Sequence, residues 1–290
     1  MRISVIIAAR NAAVTLGAAL DSALGQTLPP EEVIVVDDGS RDGTADVARS
    51  FPGVLCLSQP ARGVSAARNR GVAAARGDWV AILDADDLWV PWRLARLASL
   101  AAGGPCLVGP DAWVWRPPET PDRACERGER VFADLCGQHL RSPSLAALFE
   151  NAPITHPLLP RAAVLAEPYD EGLVLGEDTE LAWRLAAGGL PVVLVAEPLG
   201  FYRFVEDQRH GTPGEVLERR AAMLTRALAR CGDHPLAGPR IRGSLREVRR
   251  AQAYLHLTRA VRERRWPEVR SAAAAWMVGW AVRDGILRVR

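Results

Sequence analysis

The sequence predicts an α/β protein: a doubly wound, mostly parallel sheet with helices on both faces, followed by a helical C-terminal region. Three observations carry this. Short apolar runs rich in Val and Ile alternate with helical patterns through the first hundred residues, as parallel strands buried on both faces do. Successive runs end on polar, mostly acidic turns, Ala8-Ala9-Arg10-Asn11, Asp37-Asp38-Gly39-Ser40 and Asp84-Ala85-Asp86-Asp87. From about Pro213 the strand-like runs give way to arginine- and alanine-rich helical patterns.

The elements follow in order. Ile3 to Ala9 is a β-branched run and Glu32 to Val36 a second strand. Val14 to Leu24 between them carries apolar residues at three- and four-residue spacing, which predicts a helix. Thr44 to Ser50 reads as a short helix, Val54 to Leu57 as the third strand, and Val64 to Ala75 as a helix stopped by Arg76-Gly77. Trp79 to Leu83 is the fourth strand, and Pro91 to Ala102 a helix with proline in its first turn. Cys106 to Val108 and Trp113 to Trp115 read as strands, Arg116 to Gly128 as a loop and Ser144 to Glu150 as a helix. After an apolar segment reaching Val164, Glu177-Asp178 opens a helix over Thr179 to Ala187, closed by Gly188-Gly189, and Val192 to Val195 is a further strand. Helical patterns cover 215–230, 243–263 and 267–282. The expected division is an α/β domain over 1–212, in two halves (1–100 and 101–212), and a helical region over 213–290.

Composition narrows the class. An apolar fraction of 49% and a charged fraction of 24% over 290 residues are those of a soluble globular chain. A net charge of +2 gives no case for nucleic acid by bulk electrostatics. All 36 basic residues are arginine, which reads as coding bias. The five cysteines, Cys56, Cys106, Cys125, Cys136 and Cys231, are scattered without a C-x-x-C spacing, which argues against a disulfide framework or zinc site. The first apolar run is too short for a secretory leader, and no stretch reaches the ~20 apolar residues of a spanning helix. A cytoplasmic protein is expected, with at most peripheral contact at the inner face of a membrane.

The chemistry concentrates at the strand ends. In an open α/β sheet the carboxyl ends of parallel strands form the ligand edge. The carboxylates of Asp84, Asp86 and Asp87 would repel one another there unless a cation joined them, and a hard divalent ion bridging a diphosphate is the common solution. Taken alone, Asp86 or Asp87 would serve equally as a helix cap, and Asp37 and Asp38 as turn residues. Arg62-Gly63-Val64-Ser65-Ala66-Ala67-Arg68-Asn69 brings a glycine-led helix start with an arginine one turn in, a plausible diphosphate contact. The turn after the first strand lacks G-x-G-x-x-G, which excludes a dinucleotide fingerprint.

Four motifs in order resemble the family 2 glycosyltransferases of the GT-A fold: Ser4-Val5-Ile6-Ile7-Ala8 with Asn11; Val33-Ile34-Val35-Val36-Asp37-Asp38-Gly39-Ser40 with Asp42-Gly43-Thr44; Gly63-Val64-Ser65-Ala66-Ala67-Arg68-Asn69-Arg70-Gly71; and Leu83-Asp84-Ala85-Asp86-Asp87. The resemblance is strong over roughly residues 1–100 and thinner to about 205, and implies a catalytic domain over 1–212 with a nucleotide-binding half (1–100) and an acceptor-side half (101–212). It implies a nucleotide-diphosphate sugar as donor, a UDP-sugar foremost, with Mg²⁺ or Mn²⁺ as cofactor. It places Ala8, Arg10 and Asn11 along the nucleotide, Asp38 at the base and Arg68 beside the nucleotide. Asp84 falls toward ribose and sugar and Asp86 on the metal, with Asp87 as the ligand if the frame shifts by one. Glu177-Asp178 matches the family's acidic pair, with Asp178 as catalytic base, which implies inversion at the anomeric carbon. Physically, an attacking hydroxyl must lose its proton and a placed carboxylate can take it, although an aspartate there would also cap the following helix.

Tyr202-Arg203 resembles the family's tyrosine–arginine element, followed by a loop with Asp207, Arg209 and His210. The Gln-x-x-Arg-Trp motif of processive members is absent. His156 and Asn151 fall where an acceptor pocket would lie. Trp89, Trp92, Trp113, Trp115 and Trp183 read first as core residues and second as sugar-stacking surfaces. Trp266, Trp276 and Trp280 with Arg270 and Arg283 read first as packing and second as an interfacial helix. The expected acceptor is a hydroxyl on a saccharide, a lipid-linked saccharide or another molecule, in surface glycan or polysaccharide synthesis. The alternatives are a nucleotidyltransferase, which would want a glycine-rich loop after the first strand, and a non-catalytic nucleotide-sugar-binding relative.

Overall fold

The computed structural model describes residues 1–131, 139–141, 156–204 and 211–263. The described chain falls into two compact units, Met1–Val205 and Glu206–Arg290.

The first unit is built on one nine-stranded sheet. Its strands are β1 (Ile3–Ala9), β2 (Glu32–Asp38), β3 (Val54–Gln59), β4 (Trp79–Asp84), β5 (Leu88–Trp89), β6 (Leu107–Trp115), β7 (His139–Arg141), β8 (Leu158–Pro160) and β9 (Val192–Arg203). The order is β3-β2-β1-β4-β8-β6-β9-β5, with β7 also on β9. The first four strands are parallel. Beyond them the sheet is mixed: β8 runs antiparallel to β4 and β6, β6 is parallel to β9, and β5 and β7 are antiparallel to β9.

The helices of this unit are α1 (Leu16–Leu24), α2 (Thr44–Ser50), α3 (Val64–Ala74), α4 (Arg93–Leu100), α5 (Pro121–Arg127), α6 (Arg161–Ala166) and α7 (Glu177–Ala187). Strand side chains alternate between faces, and both faces of the parallel strands are covered. Ile3, Val5 and Ile7 of β1 and Val33 and Val35 of β2 share a core with Leu16 and Leu20 of α1 and Leu94 and Leu97 of α4. On the other face α3 packs on β1 and β2. The approach is close because Gly71 has no side chain: a Cβ there would sit 2.4 Å from the Ile6 Cγ2.

Most element boundaries agree with expectation, and the differences have physical causes. Cys106–Val108 and Trp113–Trp115 belong to one strand, β6, whose register shifts around Asp111. A β-bulge of this kind breaks the period a sequence reading relies on. The strand read as Val192–Val195 runs on to Arg203, because β6 pairs with it as far as Trp115↔Arg203. Within the stretch read as a loop lies α5, capped by the Thr120 side chain, with Pro121 in its first turn and Gly128 left-handed at its end. The helix expected at Pro91 starts at Arg93. Those expected over 144–150 and 267–282 lie outside the described residues, as does Cys136.

In the second unit, α8 (Pro213–Cys231) and α9 (Ala237–Arg262) pack on each other. A reciprocal capping box between Thr212 and Glu215 starts α8. The His234 Nδ1 accepts the Leu236 and Ala237 backbone N–H groups at the start of α9. No helix among the described residues is long and apolar enough to cross a membrane.

Gly71→Ala tests the α3–β1 approach. Overpacking a rigid helix–sheet contact costs about 1–3 kcal/mol, so the variant unfolds at lower urea concentration with an unchanged m-value.

Candidate active site

Register brings the predicted rim together. Ala8 pairs with Val36 on one side and Asp84 on the other, and Ala9 pairs with Asp37. The ends of β1, β2 and β4 therefore share one edge. Arg10 and Asn11 follow at the surface. Asn11 has a φ of 50°; its N–H donates to the Ser40 Oγ at 2.9 Å and its Oδ1 accepts the Arg41 N–H at 2.9 Å. The loops after β1 and β2 are thus stitched to each other.

Asp37 and Asp38 divide their work. Asp37 accepts the Ser40 N–H at 3.1 Å, a turn contact. Asp38 is buried and accepts from the Gln59 Nε2, the Arg62 N–H and the Gly63 N–H, each at 2.8 Å. It draws the loop after β3 and the start of α3 onto the rim.

The centre of the site is Arg68, whose side chain is 2% exposed. Its Nη2 lies 2.8 Å from the Asp84 Oδ1, and its Nη1 lies 2.7 Å from the Glu177 Oε1 and 3.0 Å from the Asp178 Oδ2. The guanidinium also lies over the Tyr169 ring, 5.4 Å from its centroid. Burial works against the Arg68 charge, yet the carboxylates of Asp178, Asp84 and Glu177 hold its pKa well above the usual value. Burial pushes Asp178 up to about 7, with Glu177 and Asp84 adding to the rise and Arg68 and the Tyr169 hydroxyl opposing it. That hydroxyl donates to the Asp178 Oδ1 at 3.0 Å. Next in sequence, Asn69 clasps the Tyr169 backbone in both directions, at 3.0 and 2.9 Å. Arg68 and Asn69 together fix the carboxylates and the loop that leads to them.

The turn after β4 sorts its aspartates. Asp84 and Asp86 are half-buried. Asp87 is fully buried, its Oδ1 accepting the Arg203 N–H at 2.7 Å and its Oδ2 lying 2.8 Å from the His156 Nε2. Burial, with Asp84 beside it, pushes the Asp87 pKa well above the usual carboxylate range. Burial drives His156 down to about 4 against the pull of Asp84, so the ring is neutral near pH 7. Arg93, also buried, donates to the His156 and Leu199 carbonyls, and burial lowers its pKa to about 9. His156 therefore braces the turn.

The donor chemistry of this corner suits a divalent cation. Ligand atoms of Asp84, Asp87 and His156 lie within 4.8 Å of one another, and Asp86 is half-buried on the same turn. Two carboxylates with a neutral imidazole are donors that Mn²⁺ accepts. Asp87 would have to give up a hydrogen bond to serve, because both its oxygens are engaged; Asp84 and Asp86 are the more solvent-exposed pair.

Tyr202 and Arg203 end β9, and burial, followed by Asp87, Asp84 and Glu177, pushes Tyr202 up to about 12. The Arg203 guanidinium lies 5.2 Å from the Trp115 ring centroid. Trp89 and Trp183 are core residues, Trp113 stacks on Phe201, and Trp92 is half exposed. Asn151, Asp207, Arg209, His210, Trp266, Arg270, Trp276, Trp280 and Arg283 lie outside the described residues. Tyr169 is the site residue that sequence reasoning missed; it reaches Asp178 across an irregular loop, a spacing without periodicity.

Fold and rim define the class: a GT-A-type α/β protein whose strand ends carry clustered carboxylates around a buried arginine. Residues 4–143 match the model of glycosyl transferase family 2, and the chain belongs to that family. The succinoglycan biosynthesis protein ExoO of Rhizobium meliloti (strain 1021) is 32% identical over 233 residues, 74% of this chain and 63% of ExoO. The chain spans less than two thirds of the length of the curated relatives it matches. Among solved structures, S. aureus TarS 1–349 in complex with UDP superposes with a TM-score of 0.65 at 15% identity, covering 100% of this chain and 93% of that one. The mannosyltransferase PcManGT from Pyrobaculum calidifontis, in complex with GDP-Man and Mn²⁺, gives 0.65 at 20% identity, covering 97% and 75%. At these identities the likeness is one of fold.

Arg68→Met is expected to destabilise the protein by roughly 3–5 kcal/mol, because it leaves three carboxylates without their cation. The sign with pH is fixed. Without Arg68 these carboxylates bind protons more tightly in the folded state than in the unfolded chain. The deficit is therefore largest above neutrality and shrinks as pH falls through the carboxylate range. Urea unfolding across that range checks both.

Proposed function

We propose that this protein transfers a sugar from a nucleotide-diphosphate donor to an acceptor hydroxyl with inversion, Asp178 acting as general base. The observation that carries the reading is the Arg68 cluster, which places the donor-side Asp84 and the acidic pair Glu177-Asp178 on one guanidinium. Ala8, Arg10, Asn11 and Asp38 form or shape the nucleotide edge. Asp84 and Asp86 would hold the divalent ion, which stabilises charge building on the leaving diphosphate when bound. The ion is Mn²⁺ or Mg²⁺, and the donor is foremost a UDP-sugar. The TarS complex with UDP supports the donor class, and the PcManGT complex with Mn²⁺ supports the ion. ExoO's name supports a role in polysaccharide synthesis.

Asp178 at about 7 is poised for its task. A base is most useful when its pKa lies near the working pH. Buried among Tyr169, Arg68 and Glu177, it can take the proton of an attacking hydroxyl while the neighbouring guanidinium keeps the anion in place.

Calorimetric titration with UDP, GDP, dTDP and CDP, each with Mn²⁺ and with EDTA, tests the donor site. Binding of one diphosphate only with Mn²⁺ is the expected result; no binding by folded protein would return the reading to a non-catalytic relative. Asp86→Ala should weaken the metal-dependent binding. Asp178→Asn should retain it and lose transfer, and full transfer by that variant would remove Asp178 from the base role.

The pH dependence has a defined direction. Since the carboxylate is the active form, kcat/KM rises with pH through the Asp178 pKa, about 7 in the metal-free site and lower once a cation joins Asp84, and then levels. Tyr169→Phe removes a hydrogen bond that favours the anion, so its acid limb moves to higher pH. A limb that stays put would detach Tyr169 from the base.

A further inference from the structure

The boundary between the two units divides the charge of the chain. Residues 1–205 carry 18 arginines against 25 acidic residues, net −7; residues 206–290 carry 18 arginines against nine, net +9; together they give the chain's +2. That every basic residue is arginine does not account for the excess falling in one unit.

Within the described part of that unit the arginines are also arranged. Ile241, Leu245 and Val248 form the buried stripe of α9. One position further on, Arg242, Arg246 and Arg249 repeat the spacing i, i+4, i+7 and are exposed. At 3.6 residues per turn they share one side of the helix. The acidic residue among them, Glu247, falls a further third of a turn away. Arg242 donates to the Gly232 carbonyl at 3.2 Å, while Arg246 and Arg249 have no ion-pair partner among the described residues.

We propose that the C-terminal unit docks this protein on an anionic lipid bilayer, with Arg242, Arg246 and Arg249 of α9 against the lipid phosphates. Charge complementarity selects the partner. A bilayer of acidic lipids attracts a unit of +9, and guanidinium groups take phosphate oxygens in pairs. Nucleic acid fits less well: single-strand binders interleave their basic residues with aromatics for base stacking, and Gly243, Ser244, Leu245, Glu247 and Val248 supply none. The proposal goes beyond the transfer reaction and does not depend on it.

The test is co-sedimentation of the full chain with vesicles of phosphatidylcholine alone and of phosphatidylcholine containing phosphatidylglycerol. Binding to the anionic vesicles alone, released by salt, is expected. At about 1 kcal/mol per arginine near the surface, roughly fivefold each, the Arg242→Gln, Arg246→Gln, Arg249→Gln variant should partition on the order of a hundredfold more weakly. These positions are exposed, so the variant should fold. It should also keep the nucleoside-diphosphate binding of the parent, which separates this result from the donor assignment. A control losing the same charge at exposed Arg2, Arg49 and Arg123 should bind as the parent does. Any of four results overturns the proposal: no binding to anionic vesicles, equal binding to phosphatidylcholine alone, unchanged binding by the α9 variant, or tighter binding to RNA than to vesicles.

Discussion

One buried guanidinium holds the first unit's chemistry together. Arg68 comes from α3, Asp84 from the end of β4, and Glu177 and Asp178 from the start of α7, so four side chains from three elements meet at one point. Taking a guanidinium out of water costs several kcal/mol, and only closely placed anions offset it. Three carboxylates on one cation leave the cluster with excess negative charge. Burial, with Glu177 and Asp84 adding to it, raises the Asp178 pKa to about 7, so protonation of Asp178 or another cation at the rim relieves that excess. The helix N-terminus of α7 adds a favourable field for both acids.

A second layer makes the first one rigid. Asp87 ties the turn after β4 to the end of β9 through the Arg203 N–H and to the start of β8 through His156. Arg93 then holds the His156 and Leu199 carbonyls. His156 has a φ of 48°, a conformation that few non-glycine residues adopt. Such backbone persists where surrounding contacts over-determine it, and here Asp87 holds the ring while Arg93 holds the carbonyl. The turn therefore presents Asp84 and Asp86 outward because Asp87 is fastened inward.

The parallel half of the fold was legible because its strands are short apolar runs broken by acidic turns, and each reads locally. The mixed half was not. Strand β6 carries a bulge at Asp111, and β9 carries Pro198 and Gly200, so local propensity stops both strands before pairing does. Helix α5 was marked by Thr120, Pro121 and Gly128, yet charge and proline suggested a loop. In the site, residues close in sequence were found together as motifs. Contacts that depend on long-range closure were not: Tyr169 reaches Asp178, and Asp87 reaches His156, only after α7 and β8 have docked. The frame of the Asp86-Asp87 pair likewise rests on burial, which the sequence does not display.

The electrostatics bear on how the proposed reaction would be controlled. A nucleoside diphosphate is an anion, and the edge proposed to receive it is lined by Asp84, Asp86, Glu177 and Asp178. Arg68 is already committed to three of these four, so it has little charge to lend an incoming phosphate. On the proposed reading, donor affinity must then depend on a cation arriving with the donor. The same reasoning couples donor to base. Whatever lowers the negative charge at Asp84 lets Arg68 act more strongly on Asp178, lowers its pKa and readies it to accept a proton. Donor binding and base activation would thus be two consequences of one shared guanidinium.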